Sequence, residues 1–532
     1  MRRRLSLLWT GLLVCAAPGS GRSAEPAQWI AVTAPAFRAE LAPLIEQRRA
    51  QGLQVAVIET TNLLTLEQIQ RGDGAPLRSQ LVQLTQRART NYLLLVGAFS
   101  ATATNAGQIV VPALPGTIGR MKGQPGDYGY CLPDTNGAPT VAVGRFPART
   151  VEEVRFMVRK TLDLEQDREP GAWRNRLLLL AGDPGGGPMA DMLVEQVVGP
   201  RLESLHPSWS VRAIFAGDTS RFHLPAERFG PAAEQRLAEG ELFSIFMGHS
   251  VAGAMWLTGT NFMTRDDWAR LNIPRGRGVF LTCGCFACQF QGRDGEGYAL
   301  AALRNPRGPA AVIGACAESY AAPGQLALDG LLQCLKQPPF APRLADYWLA
   351  VQNGLASGGM DPITFNLYDQ FDGSRGKVPL AAQRREHLEM WLLLGDPALR
   401  LPITPADVAL ELKEPVRPGK SVTVTGVLPG RLANASVRVT LERPAGSLPT
   451  GLVRLPANSP ETHAARERLA VENHERANEF VLLAAETILT TGAFACPLTV
   501  PANLPWSNVV IRVTAATGNE SAMGTVTVAV SR

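Results

Sequence analysis

Two stretches, FSIFMGHS at 243–250 and GVFLTCGCFACQF at 278–290, decide how this chain is read. Each begins as a mostly apolar run of strand length and breaks at a glycine followed by a reactive side chain, Gly248-His249 in the first and Gly284-Cys285 in the second. Runs of this kind are expected of strands covered on both faces in a parallel sheet. In open α/β sheets the carboxyl ends of such strands face the ligand crevice. An imidazole and a thiol delivered there on neighbouring strands are the parts of a cysteine nucleophile with its base. A thiol with a pKa of about 8.5 needs a base or a depressed pKa to attack at neutral pH, and an adjacent imidazole can serve both needs.

Outward from these stretches the same texture continues. Strand-length apolar runs at 29–32, 53–58, 92–96, 141–143, 177–181, 209–215 and 310–314 are separated by helical periodicity at 37–49, 76–89, 151–166, 190–205, 232–239, 298–304, 325–336, 343–354 and 381–393. This alternation predicts an α/β unit, a parallel sheet covered by helices. The polar segment 167–171 divides it into an N-terminal subdomain at 25–168 and a catalytic subdomain at 169–402. Beyond Pro402 the pattern changes. Short Val- and Thr-rich runs at 421–425, 437–441, 509–514 and 525–530 alternate apolar and polar residues between Gly and Pro, which predicts an all-β, immunoglobulin-like sandwich over 403–532. The charged, helix-prone segment 461–479 has no place in such a sandwich.

With 532 residues, the chain has room for about three domains. A hydrophobic share of 45% against 19% charged residues describes a globular chain. The net charge of +5 is small for this length, and without a basic block it gives no footprint for nucleic acid. Arg2-Arg3-Arg4, an apolar run from Leu5 to Ala17 and small residues around Pro18 predict a secretory signal peptide at 1–24. The mature protein is therefore expected outside the cytoplasm, periplasmic or extracellular, with no membrane span and as a monomer. Eight cysteines in a chain this long do not make a disulfide-dense scaffold.

Asp183 follows the run 177–181 just as His249 and Cys285 follow theirs, and a carboxylate there can orient an imidazole. Asp183-Pro184-Gly185 is equally ordinary turn chemistry. Cys285 and Cys288 have a C-x-x-C spacing without a second Cys or His pair nearby, so no metal is expected. A disulfide from Cys288 to Cys283 or to Cys285 is open on spacing alone, and the latter would silence the nucleophile.

The residues together resemble the gingipain-type cysteine peptidases of the caspase-like clan. Gly248-His249 with Ala254-Met255-Trp256 resembles the family's histidine loop, and Gly284-Cys285 with Phe290 its nucleophile segment. Tyr130-Cys131-Leu132-Pro133-Asp134 running into Val143-Gly144-Arg145-Phe146-Pro147 resembles its first-subdomain segment, and Leu394-Gly395-Asp396-Pro397-Ala398-Leu399 its closing signature. The resemblance implies a secreted endopeptidase acting on proteins or peptides. Cys285 attacks, His249 carries the proton, Asp183 stands behind the imidazole, and the N–H groups of Cys285 and Ser250 form the oxyanion hole. It further implies that Glu318-Ser319-Tyr320 lines the pocket for the residue before the cleaved bond. No cofactor is implied for catalysis. The family often carries structural calcium, for which no loop here shows a clear ligand spacing. The usual glycine after the histidine is Ser250. Near the position of the aspartate that binds a basic side chain in some relatives stand Glu195 and Gln196. Ser250 and the crowded cysteines motivate a second reading, a binding or assembly protein on a catalytically silent fold. Peptide ligation by the same pair is a third.

Overall fold

The structure, a computed structural model, describes residues 27–531 apart from 87, 89, 100–105, 184–197, 258, 291–294, 433 and 489–491. The expected signal peptide lies outside the described residues, as do Glu195, Gln196 and the first half of the helix expected at 190–205.

Ten strands form one sheet, in the order Gln54–Glu59, Gln28–Thr33, Asn91–Val96, Ala142–Phe146, Trp391–Leu394, Ala311–Ala315, Arg277–Thr282, Glu241–Met247, Arg176–Ala181, Ser210–Phe215. The first five are mutually parallel, and so are the last five. The two halves meet antiparallel at Trp391–Leu394 against Ala311–Ala315. This corrects the expectation of a purely parallel sheet. The sequence pattern assigns the joining strand to the end of the helix at 381–393. That helix, Leu380–Met390, stops where four consecutive apolar residues begin, all buried. A short apolar run cannot be assigned by periodicity alone, because a buried strand and a buried helical turn look the same.

The helix Val151–Gln166 shows how local chemistry places an element. Thr150 and Glu153 form a capping box at its start. Val154, Met157, Val158, Thr161 and Leu164 then bury one face. Lys160 is buried on the same helix, its ammonium donating to the carbonyls of Leu303, Asn305 and Pro309. Two of these carbonyls lie at the carboxyl end of the helix Tyr298–Arg304, where a cation is favoured.

The C-terminal region forms two antiparallel sheets around a common core. One contains Ala409–Leu412, Ser421–Val427 and Ala493–Thr499; the other Val481–Ile488, Ser436–Glu442, Asn508–Ala516 and Ser521–Ala529. The segment at 461–479 finds its place outside them, as the helix His463–Asn478 lying against the edge strand Ser210–Phe215. There the Asn478 amide accepts from the Ala213 N–H (2.8 Å) and donates to the Ala213 carbonyl (3.0 Å), occupying the edge as a neighbouring strand would. His474 reaches the Phe222 carbonyl from the same helix, and Arg512 donates to the Ser208 carbonyl. The sandwich is thus docked on the α/β unit.

The closing signature is explained by one buried carboxylate. Asp396 accepts from Arg48 Nη2 (2.7 Å) and Nε (3.0 Å), from Trp29 Nε1 (3.1 Å) and from the Ala398 N–H (2.9 Å). Arg48 also pairs with Glu165 at 2.8 Å, and the side chains of all three charged residues are essentially inaccessible. Asp396→Ala leaves the Arg48 charge half-matched and an indole N–H unpaired. It is expected to cost about 3–5 kcal/mol, read as a lower urea midpoint at unchanged slope.

Candidate active site

Four parallel strands lie side by side in the order Arg176–Ala181, Glu241–Met247, Arg277–Thr282, Ala311–Ala315. Their registers pair Ala181 with Met247, Phe246 with Thr282 and Thr282 with Gly314, so their carboxyl ends form one level edge. Asp183, His249, Cys285 and the segment Glu318-Ser319-Tyr320 follow these ends in the same lateral order. Neighbouring strands are about 4.8 Å apart, so the histidine and the cysteine leave the sheet beside each other.

Both strand-end glycines are required by space. Gly248 has φ +156°, and a Cβ on it would come within 3.1 Å of the Gly182 Cα and 2.9 Å of the Phe246 ring. The close approach of Gly182 and Gly248 sets Asp183 next to the histidine loop, and the Gly182 N–H donates to the Met247 carbonyl at 2.8 Å. A Cβ on Gly284 would lie 2.2 Å from Ser250 Oγ.

The histidine loop turns back as the hairpin Ser250–Val251, Ala254–Leu257, with the Trp256 ring edge-on to His249 at 5.7 Å between centroids. The Trp256 N–H bonds the His249 carbonyl, so the Ser250–Met255 pair is of the non-hydrogen-bonded kind and the Ser250 N–H points out of this ladder. The Cys283 N–H donates to the Phe246 carbonyl at 2.8 Å and joins the two loops at their roots.

Cys285 is partly buried. Its Sγ receives the Ser319 N–H at 3.3 Å. Burial pushes the thiol up to about 11, opposed by that N–H and by Arg120, with Asp372 and Glu318 adding to the rise. At pH 7 only about one thiol in ten thousand is ionised on this basis, so attack requires a base at the moment of reaction. Cys283 and Cys288 are free thiols directed elsewhere, Cys283 toward the Gly324 carbonyl and Cys288 into the core near Cys316.

The segment Glu318-Ser319-Tyr320 lies at this edge together with partners that the sequence did not suggest. Arg120, from the N-terminal half, stacks over the Tyr320 ring at 3.8 Å. It donates through Nε (3.0 Å) and Nη2 (2.7 Å) to Glu386, and through Nη1 (3.0 Å) to Glu318. The Glu386 side chain is largely buried, while that of Glu318 is 59% exposed. Ser319 Oγ is buried and has no protein hydrogen-bond partner among the described residues. Asp372, the last residue of the unpredicted helix Pro362–Asp372, interacts electrostatically with His249 and Glu318; burial raises its carboxyl. That helix had a legible start, since Asp361 caps it by accepting the Thr364 N–H and Pro362 follows. Among the described residues, no group of three or more His, Cys, Asp or Glu side chains is placed to hold a metal ion.

A thiol, an imidazole and a carboxylate presented along one edge of a mostly parallel sheet are what an α/β cysteine peptidase is built on. The chain belongs to peptidase family C25, whose model matches residues 22–402. No curated protein matches the chain in a sequence comparison. Its fold is similar to that of the Arg-specific cysteine proteinase gingipain R (RgpB), with a TM-score of 0.52 at 15% identity over 96% of this chain and 99% of that one. It is also similar to the complex of Porphyromonas gingivalis RgpB pro- and mature domains, with a TM-score of 0.51 at 14% identity over 95% and 100%. A third structure, described only as a protease, gives 0.53 at 14% over 94% and 97%. At such identities the likeness is one of fold. Family membership and these neighbours together support a cysteine peptidase.

His387 backs the segment Glu318-Ser319-Tyr320. Its Nε2 accepts the Tyr320 N–H at 2.8 Å and its Nδ1 donates to the Gln383 carbonyl at 2.6 Å, so it is the neutral tautomer. Burial lowers it to about 4 from an ordinary value of 6.5. Between these values the unfolded chain takes up the proton and the folded one does not. The contribution of His387 is therefore complete above pH 6.5 and is lost as pH falls toward 4, at roughly 3 kcal/mol in all. Urea midpoints measured from pH 7 to pH 4 should fall less steeply in His387→Gln than in the unaltered protein.

Proposed function

We propose that this protein is an endopeptidase in which Cys285 attacks the scissile carbonyl. The observation that carries the reading is the level edge at which four adjacent strands deliver Asp183, His249, Cys285 and the pocket segment in order. The thiol proton passes to His249 as sulfur bonds to carbon, and Asp183 favours the imidazole orientation that accepts it. The oxyanion rests on the N–H groups of Ser250 and Cys285. Collapse expels the amine, which takes the proton from His249. Water, activated by the same imidazole, then hydrolyses the thioester. Cys285→Ala is expected to abolish cleavage of denatured protein substrates, followed by electrophoresis. Full retained activity would remove the assignment. A thiol-directed peptidyl probe that leaves Cys285 unlabelled would favour the silent binding protein instead.

The pocket chemistry suits a basic residue before the cleaved bond. The charge of Arg120 is matched by the buried Glu386, so the exposed carboxylate of Glu318, with Asp372 nearby, is the surplus. Tyr320 already accepts one guanidinium on its face. Gingipain R, of similar fold, is Arg-specific. Glu318→Gln is expected to lower kcat/KM for substrates with Arg or Lys at this position by roughly 10- to 100-fold, about 1.4–2.7 kcal/mol. An equal loss on substrates with a neutral residue there would refute the role of Glu318.

The predicted signal peptide supports export of the enzyme. The strand order of the C-terminal sheets, three strands against four, supports an immunoglobulin-like module that braces the edge strand of the peptidase unit.

A further inference from the structure

Behind the two loops lies a chain of buried polar groups that the mechanism above does not use. Ser250 Oγ donates to the Cys285 carbonyl at 2.7 Å. The Tyr298 hydroxyl lies 2.8 Å from Thr282 Oγ1 and adjoins the Ser250 side chain. Thr282 Oγ1 in turn accepts the Gly284 N–H at 3.2 Å. Thr282 and Tyr298 are wholly buried and Ser250 nearly so. The chain runs from the residue after the histidine, through a helix N-terminal tyrosine, to both sides of the Gly284–Cys285 peptide. The next residue, Phe286, is in the left-handed region at φ +57°, a strained conformation for a bulky side chain. Its N–H is held by the Ala317 carbonyl at 3.0 Å, so the nucleophile turn is pinned from two sides.

We infer that the Ser250 and Tyr298 hydroxyls are positioning groups that hold the two oxyanion-hole N–H donors at a fixed separation. This rests on the peptidase reading. One donor is the N–H of Ser250 itself and the other is that of Cys285, and they sit on loops leaving different strands. The backbone bond from Cys283 to Phe246 joins those loops only at the sheet. The Ser250 hydroxyl is the bond that spans them at the level of the sulfur. An oxyanion is stabilised only when both donors lie about 2.7–3.1 Å from where it forms, and loss of one donor costs roughly 10²–10³ in kcat. Loosening the pair should cost less than losing a donor outright. Gly284 belongs to the same device, because any side chain there would displace Ser250 Oγ.

The test compares Ser250→Ala, Ser250→Thr and Tyr298→Phe in the full chain. All three keep both backbone N–H donors. Ser250→Ala is expected to lower kcat about 10- to 100-fold, with KM within about twofold. Tyr298→Phe, which leaves Ser250 in place but unsupported, should lower kcat by a smaller factor in the same direction. Ser250→Thr, which keeps a hydroxyl, should recover most of the loss. Unchanged kcat in the folded alanine and phenylalanine variants overturns the inference, as does a loss in Ser250→Ala that threonine does not restore. If Ser250→Ala does not fold, Tyr298→Phe decides alone. The rate at which iodoacetamide alkylates Cys285 gives a readout independent of peptide cleavage. Release of the turn should raise it several-fold in both variants, and an unchanged rate counts against the inference even if the protein proves to cleave no peptide. In that last case the peptidase reading falls separately, through the absence of cleavage by the unaltered protein.

Discussion

The carboxylate of Asp396 is the contact on which the architecture depends. It follows the strand that joins two oppositely directed half-sheets, and it binds the Arg48 guanidinium and the Trp29 indole of the first half. A buried charge of this kind is tolerable only when its partners are complete, and here the Asp396 lone pairs are met by a guanidinium, an indole and a backbone N–H. The joining strand it anchors pairs with Ala311–Ala315, and the Cys316 N–H binds the Met390 carbonyl at 3.0 Å. The segment Glu318-Ser319-Tyr320 begins two residues later. Position at this edge is therefore inherited from a contact made on the far half of the sheet.

The same dependence appears in the pocket wall. The loop carrying Arg120 comes from the N-terminal half and is held by two acids of the helix Leu380–Met390. Glu386 takes the arginine, while Glu389 accepts from the N–H groups of Thr117 and Ile118 and from the Thr117 hydroxyl. The same helix supplies His387 to the Tyr320 backbone. Three side chains within four residues of one helix thus hold both the loop carrying Arg120 and the backbone of Tyr320. The two halves of the α/β unit meet at this edge as well as in the sheet.

Much was legible from local sequence. Buried parallel strands are continuous apolar runs, so the strand ends and the residues after them could be read directly, and the positions of Asp183, His249 and Cys285 just past strands follow from that reading. The helical periodicity at 151–166 located a helix whose limits agree with the expectation. The strand at 391–394 and the helix at 362–372 were missed for different reasons. The first continues a helical pattern without punctuation. The second buries little of itself apart from Asp369, so no buried face sets it off from the surrounding loops. Its clearest signal was the Asp361-Pro362 start.

Sequence by itself determined the family resemblance, the alternation of strand and helix, and which residues stand at strand ends, because each of these is set by neighbours within a few positions along the chain. Tertiary structure alone decided that the strand ends form one level edge in the order acid, imidazole, thiol and pocket, since lateral strand order is a property of pairing and not of pattern. It also decided that Arg120, Asp372 and His387 lie beside these strand ends. They meet partners there from 54 positions away (Asp372 and Glu318) to 200 (Arg120 and Tyr320), distances over which composition and spacing carry no information. The serine after the histidine looked from sequence like an obstruction. In the folded chain its hydroxyl is turned to the Cys285 carbonyl, because the glycine at 284 leaves the space for it.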